Sequence, residues 1–145
     1  MDIVQQASID WASAHLACEA AMRQAQALSV HVSIAVVDRS GRTMAFLCDP
    51  LAPFHCSDIA TDKAYTAASF GLPTHRWTEI SQSMSVAVKE GLLQRDRMVM
   101  FGGGFPIVVD GERVGGIGVS GASETQDMEC AVAALNKIGA DKESV

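Results

Sequence analysis

The stretch from Phe101 to Gly121, FGGGFPIVVDGERVGGIGVSG, constrains the fold of this chain more than any other part of it. Phe105 to Val109 and Val114 to Ser120 are apolar, mostly β-branched runs. Asp110-Gly111 between them suits a tight hairpin turn, in which both central residues take positive φ. Two antiparallel strands are therefore predicted. Met98 to Phe101 reads as a further short strand leading into Gly102-Gly103-Gly104. Gly116, Gly118 and Gly121 mark places where another backbone approaches closely, from a neighbouring element or subunit. The run Gly116-Ile117-Gly118-Val119-Ser120-Gly121 also spells GxGxxG literally. A dinucleotide fold needs a following strand with an acidic residue about twenty positions on. The remaining residues to Val145 hold a helix instead, so NAD binding is not expected.

The rest of the chain supplies a second hairpin and its helices. Val30 to Val37 reads as a strand, Asp38-Arg39-Ser40-Gly41 as a turn, and Arg42 to Leu47 as the returning arm. Ser8 to Leu28 has helical periodicity, with Ile9, Leu16, Ala20 and Ala27 as the expected core stripe. Trp11, His15, Cys18 and Met22 occupy the opposite side at i, i+4, i+7 and i+11. A helix with two apolar faces must cover both, one on its own core and one on a partner subunit or ligand. Pro50 and Pro53 break the chain into a loop carrying His55 and Cys56. A second helix starts near Ser57 or Asp58 and stops at Gly71, with Pro73 just beyond. A serine-rich helical stretch spans about Thr74 to Leu93. The last helix opens at Ser123, where Gln126 completes a capping box, and runs through Met128, Val132, Leu135 and Ile138 to Gly139. The order of helix, two strands, helices, three strands, helix predicts an α/β protein of the α+β type. A single domain over 1–145 would hold a roughly five-stranded, mostly antiparallel sheet with helices packed on it.

The formal charge of -6 and the scattered placement of Arg76, Lys89, Arg95 and Arg97 exclude the clustered basic footprint of a nucleic-acid binder. No apolar run is long enough to span a bilayer, and Met1 to Gln6 lacks a signal-peptide layout, so the chain reads as cytoplasmic. Cys18, Cys48, Cys56 and Cys130 form no CxxC pair or zinc-like spacing and read as unpaired thiols.

Three segments carry a resemblance to a known family. Ser33 to Phe46 (SIAVVDRSGRTMAF) is similar to the first hairpin of the GlcG/HbpS/PduO C-terminal family. Asp58 to Thr74 (DIATDKAYTAASFGLPT) resembles its central helix and following turn, and Phe101 to Asp127 its most recognisable stretch. With the flanking helices, the resemblance covers nearly the whole chain. It implies heme binding, a homo-oligomer up to an octamer, and an accessory role, as carrier or sensor, in a catabolic pathway. Members occur alone or as the C-terminal domain of a corrinoid adenosyltransferase. Two positions depart from the pattern. Cys48-Asp49-Pro50-Leu51-Ala52-Pro53 stands where relatives commonly have Arg-Met-Asp-Gly-Ala-Pro, and Thr125-Gln126-Asp127 where they have Glu-Gln-Asp. The missing arginine, which would hold a carboxylate, points to a changed ligand.

Several residues are candidates for chemistry. Heme needs an apolar slot and an axial donor. Trp11, Cys18 and Met22 would line such a slot, and the resemblance implies that His15 supplies the iron ligand, the alternative being a plain place in a subunit interface. His55 would reach a tetrapyrrole edge or propionate. Backbone amides at Gly103, and at Ser123 where the last helix begins, would suit heme propionates or a small organic acid equally. A metal site in the loop of Cys48, His55, Cys56 and Asp58 has no supporting spacing. Lys63 shares a helical row with Ile59, Thr66 and Phe70. If buried, it would be a base or a Schiff-base nucleophile, or simply the partner of Asp38, Asp62 or Asp127. Two functional readings result. One is a heme-binding accessory protein. The other is a small catabolic enzyme acting on an enol, keto acid or unsaturated dicarboxylate by proton transfer, hydration or hydrolysis, with Lys63 and Asp127 as base and acid.

Overall fold

Both predicted hairpins form, and they join in one sheet. In the computed structural model, which describes residues 1–145 with the side chain of Glu143 left aside, β1 (Ser33–Asp38) and β2 (Thr43–Cys48) make the first hairpin. The second consists of β3 (Gly104–Val109) and β4 (Glu112–Ser120), turning at Asp110 and Gly111 with φ of 52° and 76°. The order is β2-β1-β4-β3, with every neighbouring pair antiparallel. Pro106 is tolerated in β3 because that strand lies at the sheet edge, where a missing N–H breaks no ladder on the outer side.

Helices cover both faces. α1 (Trp11–Ala27) and α5 (Glu124–Ile138) pack on each other and on one face, while α2 (His55–Phe70) lies across β1, β4 and β3 on the other. α3 (Trp77–Ile80) and α4 (Val86–Leu93) follow α2. The α1/α5 side holds the main apolar core, including Ile34, Val36, Phe105, Ile107, Ile117 and Val119. The α2 side packs small residues, Ala35, Val37, Ala60, Ala64 and Ala68. Here the glycines of β4 are required. A Cβ at Gly118 would overlap the carbonyl oxygen of Ala60, and one at Gly116 that of Ala64. Close backbone approach between elements, as expected, is their role.

The helix ends follow their local chemistry. Gly71 and Gly139 cap α2 and α5 in the left-handed conformation, with φ of 68° and 72°. Ser123 and Gln126 form the reciprocal capping box. Asp10 caps α1 by accepting the Ser13 N–H at 2.9 Å. Trp77 closes the end of α2, buried and edge-on to Phe70 with ring centroids 4.9 Å apart.

Three expectations change in detail. The α+β class and antiparallel sheet hold, but the sheet has four strands, not about five. Met98 to Phe101 is not a strand because its backbone is satisfied by side chains: the Val99 N–H donates to Thr66 Oγ1 at 3.1 Å, and Thr66 Oγ1 donates to the Arg97 carbonyl at 2.8 Å. The Thr74 to Leu93 stretch breaks at Met84, whose ψ is 150°. Ser81 and Ser83 each donate their hydroxyl to a carbonyl three residues back, a local bond that competes with helix propagation. Finally, the core stripe of α1 is Ala14, Ala17, Cys18, Ala21 and Ala25, whereas Leu16 is exposed. Small alanines let the helix sit close to the sheet and α5, so the stripe follows them and not the larger leucine.

Candidate functional site

Among the described residues, Lys63 is the largest fully buried side chain, at 1% exposure. It faces the sheet from the middle of α2. Gly103 makes room for it: with φ of 120°, its missing Cβ would stand 2.6 Å from Lys63 Nζ. The ammonium donates to the Val119 carbonyl at 2.8 Å and to Asp127 Oδ2 at 3.1 Å. The Phe101 ring lies over it, 5.1 Å from Nζ to centroid. Asp127, also buried, accepts the Ala122 N–H through Oδ1 at 3.0 Å. Beside the pair, Glu124 accepts the Gly102 N–H at 2.7 Å. Burial pushes the Lys63 pKa down against the pull of Asp127, and burial pushes Asp127 up against the pull of Lys63. The pair joins α2, β4 and the start of α5. Of the three aspartates considered as partners of Lys63, the other two are engaged elsewhere, Asp38 with Arg42 and Asp62 with Arg97.

The cofactor candidates fall into separate places. Gly103 is buried beside Lys63, its carbonyl accepting the Val119 N–H. Ser123 is exposed at the N-cap of α5, and its N–H is already donated to Gln126 Oε1 at 3.2 Å. Trp11 and His15 stand one turn apart on an exposed flank of α1, with Trp11 71% exposed. The other flank, carrying Ala20 and Gln24, borders α5 residues such as Thr125 and Lys137. Met22 is half-buried against the core, and Cys18 lies within it, its thiol pushed up to about 12 by burial. His55 opens α2 on the opposite face of the sheet, exposed and stacked on Phe54 with centroids 6.0 Å apart. His55 and His15 therefore do not share a site within one chain.

The four cysteines are unpaired thiols. Among the described residues, no three His, Cys, Asp or Glu side chains gather as a metal site, and no helix is long and apolar enough to cross a membrane. One feature escaped the sequence reading. Arg39, Tyr65 and Arg113, from three separate segments, line one polar cleft on the α2 side. Their spacing in the chain carries no motif that would have joined them.

The comparisons with known proteins agree with this architecture. A family model described as haem degrading protein HbpS-like matches residues 9–136. The chain is 34% identical over 132 residues to an uncharacterized 15.0 kDa protein from the dhaT-dhaS intergenic region of Citrobacter freundii, covering 91% of this chain and 93% of that protein. The crystal structure of Klebsiella pneumoniae protein ORFY superposes with a TM-score of 0.87 at 31% identity, covering 98% of this chain and 99% of that one. The crystal structure of a PduOC:heme complex gives 0.84 at 32% identity, covering 92% and 97%.

Proposed function

The chain belongs to the HbpS-like family, and from that premise we propose that it is a cytoplasmic heme-binding accessory protein, a carrier or sensor serving a catabolic pathway. The observation that carries the reading is the uncovered α1 flank, where an indole that is 71% exposed stands one turn from an exposed imidazole. Heme binding asks for an aromatic or apolar wall and a nitrogen donor for iron. Trp11 offers the first and His15 the second. The similarity to a structure solved as a heme complex supports the same ligand. Bound heme would supply a redox-active iron, and Trp11 and His15 would be the residues that hold it. One open flank forms one wall only, so a second copy of the chain, in a homo-oligomer, would provide the other.

A hemin titration followed by absorbance tests this. The expected result is a saturable Soret band that shifts or disappears in His15→Ala and weakens in Trp11→Ala. Binding no tighter than to an unrelated acidic protein of similar size would sink the proposal.

A second reading has one observation in its favour. Lys63 is buried with a lowered pKa, the state in which a lysine serves as base or nucleophile. With Asp127 it would move a proton on an enol, keto acid or unsaturated dicarboxylate. The ammonium, however, is hydrogen-bonded on both Val119 and Asp127 and lies under the Phe101 ring. Heme binding is therefore preferred. Screening small carboxylic acids for turnover separates the two, since Lys63→Arg would abolish activity under the second reading and leave hemin binding intact.

A further inference from the structure

We propose that the cleft between Arg39 and Arg113 is a binding site for a small oxyanion, the carboxylate or phosphate group of a compact metabolite. The cleft is about 230 Å³, and its lining includes Arg39, Ser40, Gly41, Tyr65, Ser69 and Arg113. It lies on the α2 side of the sheet, away from the α1 flank, and is independent of the heme reading.

Local structure explains how two like charges come together. The register of β3 against β4 shifts between Ile107 and Val108, so that Val108 pairs with Arg113 and Ile107 with Gly115. A bulge of this kind re-aims the side chains beside it. Arg113 thereby reaches the C-terminus of α2, where its guanidinium packs against Gly71 in the space a Cβ would take. Arg39, in the β1–β2 turn, donates from Nη1 to the Arg113 carbonyl. Tyr65 completes the wall. A Cβ at Gly41 would stand 2.5 Å from its ring, and Arg97 lies over the ring at 3.6 Å from the centroid, holding it in place.

No carboxylate among the described residues pairs with the charges in this cleft. Among the described residues, neither Arg39 nor Arg113 forms an ion pair, and Arg113 Nε is buried without a hydrogen-bond partner. The nearby carboxylates are committed elsewhere. Asp38 accepts from Ser40 and from the Arg42 backbone and pairs with the Arg42 side chain, and Asp62 pairs with Arg97. A buried donor left unpaired is costly, and the negative end of α2 offsets only part of the Arg113 charge. In a protein of net charge -6, two unpaired guanidiniums facing one concavity form a local positive focus. Guanidinium groups hold carboxylate and phosphate through paired N–H donors. The cleft volume admits a compact acid and not a macrocycle.

Isothermal titration with inorganic phosphate, malonate and succinate tests the site. Wild type is read beside Arg39→Gln, Arg113→Gln and a control on the opposite face, Arg23→Gln. Saturable binding of at least one anion is expected, weakened roughly tenfold or more by each of the first two changes, as the loss of a charge-assisted pair predicts, and unchanged by the third. The preferred anion identifies the source as phosphate or carboxylate. Arg113→Lys guards against misfolding: it keeps the charge over α2 but loses the paired donors, so it too should weaken binding. Amide shifts of Ser40, Gly41 and Ser69 on anion addition locate the site in the wild type. No saturable binding of any of the three anions, equal binding by the Arg39 and Arg113 variants, or shifts confined to another region would overturn the proposal.

Discussion

Two regions of the molecule, the buried Lys63–Asp127 pair and the open flank of α1, treat polar chemistry in opposite ways. Lys63 of α2 and Asp127 at the start of α5 are buried and shifted in pKa, yet each is hydrogen-bonded to backbone and to the other. On the α1 side, an alanine-lined helix buries only its inner face and leaves Trp11 and His15 outside. The residues that look most like catalytic machinery are the ones most fully satisfied. Those with ordinary ligand chemistry stand open. Burial and a shifted pKa alone do not mark a working site; whether a group still has an unused partner is the better guide.

The contrast breaks first, and most severely, at Lys63. Lys63→Ala leaves Asp127 buried without its counter-charge, and a loss of about 3–5 kcal/mol at neutral pH is expected in urea unfolding. A loss under about 1 kcal/mol, the range of an exposed pair, would mean that the pair is not a structural tie. Replacing both partners, Lys63→Met with Asp127→Leu, should recover most of that loss, because an apolar pair of similar volume needs no desolvation of charge. The pH dependence sharpens this. Asp127 titrates above its ordinary 3.8 in the folded state, so its contribution is full below 3.8 and is lost as pH rises through the folded value. Lys63 titrates below its ordinary 10.5, so its contribution is full above 10.5 and is lost as pH falls through the folded value. The double variant should therefore compare best with wild type between those windows and worst at either extreme. Opposite curvature would refute the assigned directions.

Next comes the glycine contact. Gly118→Ala drives a methyl against the Ala60 carbonyl and should cost about 1–3 kcal/mol, seen as a lower urea midpoint at unchanged m-value. The smallest effect is expected at His15. His15→Ala should alter stability by no more than about 0.5 kcal/mol while removing the hemin band. A large destabilisation there would place His15 in a structural interface, and the two regions would no longer differ in kind.

What the sequence disclosed was mostly local. The Asp110-Gly111 turn, the Gly71 and Gly139 stops and the Ser123 capping box depend on neighbouring residues, and each appears where its chemistry puts it. Lys63 was a different matter. Its partner lies 64 positions away, and three aspartates were equally plausible until the fold brought one to it. The buried stripe of α1 differs from the predicted one because the close packing that alanine permits outweighs side-chain size. Met98 to Phe101 had strand composition, but Thr66 of another element took the backbone bonds a strand would have used. The Arg39–Arg113 cleft depends on a register shift and three distant segments, which periodicity cannot reveal.

The chain's two tryptophans sit in contrasting surroundings, Trp11 in water and Trp77 at 4% exposure against Phe70. Their fluorescence is accordingly an internal pair of reporters. Trp11 emits from a polar environment at longer wavelength, and Trp77 from an apolar one at shorter wavelength. When a second copy covers the α1 flank, only the long-wavelength component should move to the blue and escape a dissolved quencher. When the chain unfolds, the short-wavelength component should move to the red. A dilution series and a denaturant series, read on the same unlabelled protein, would thus distinguish subunits coming apart from chains coming undone.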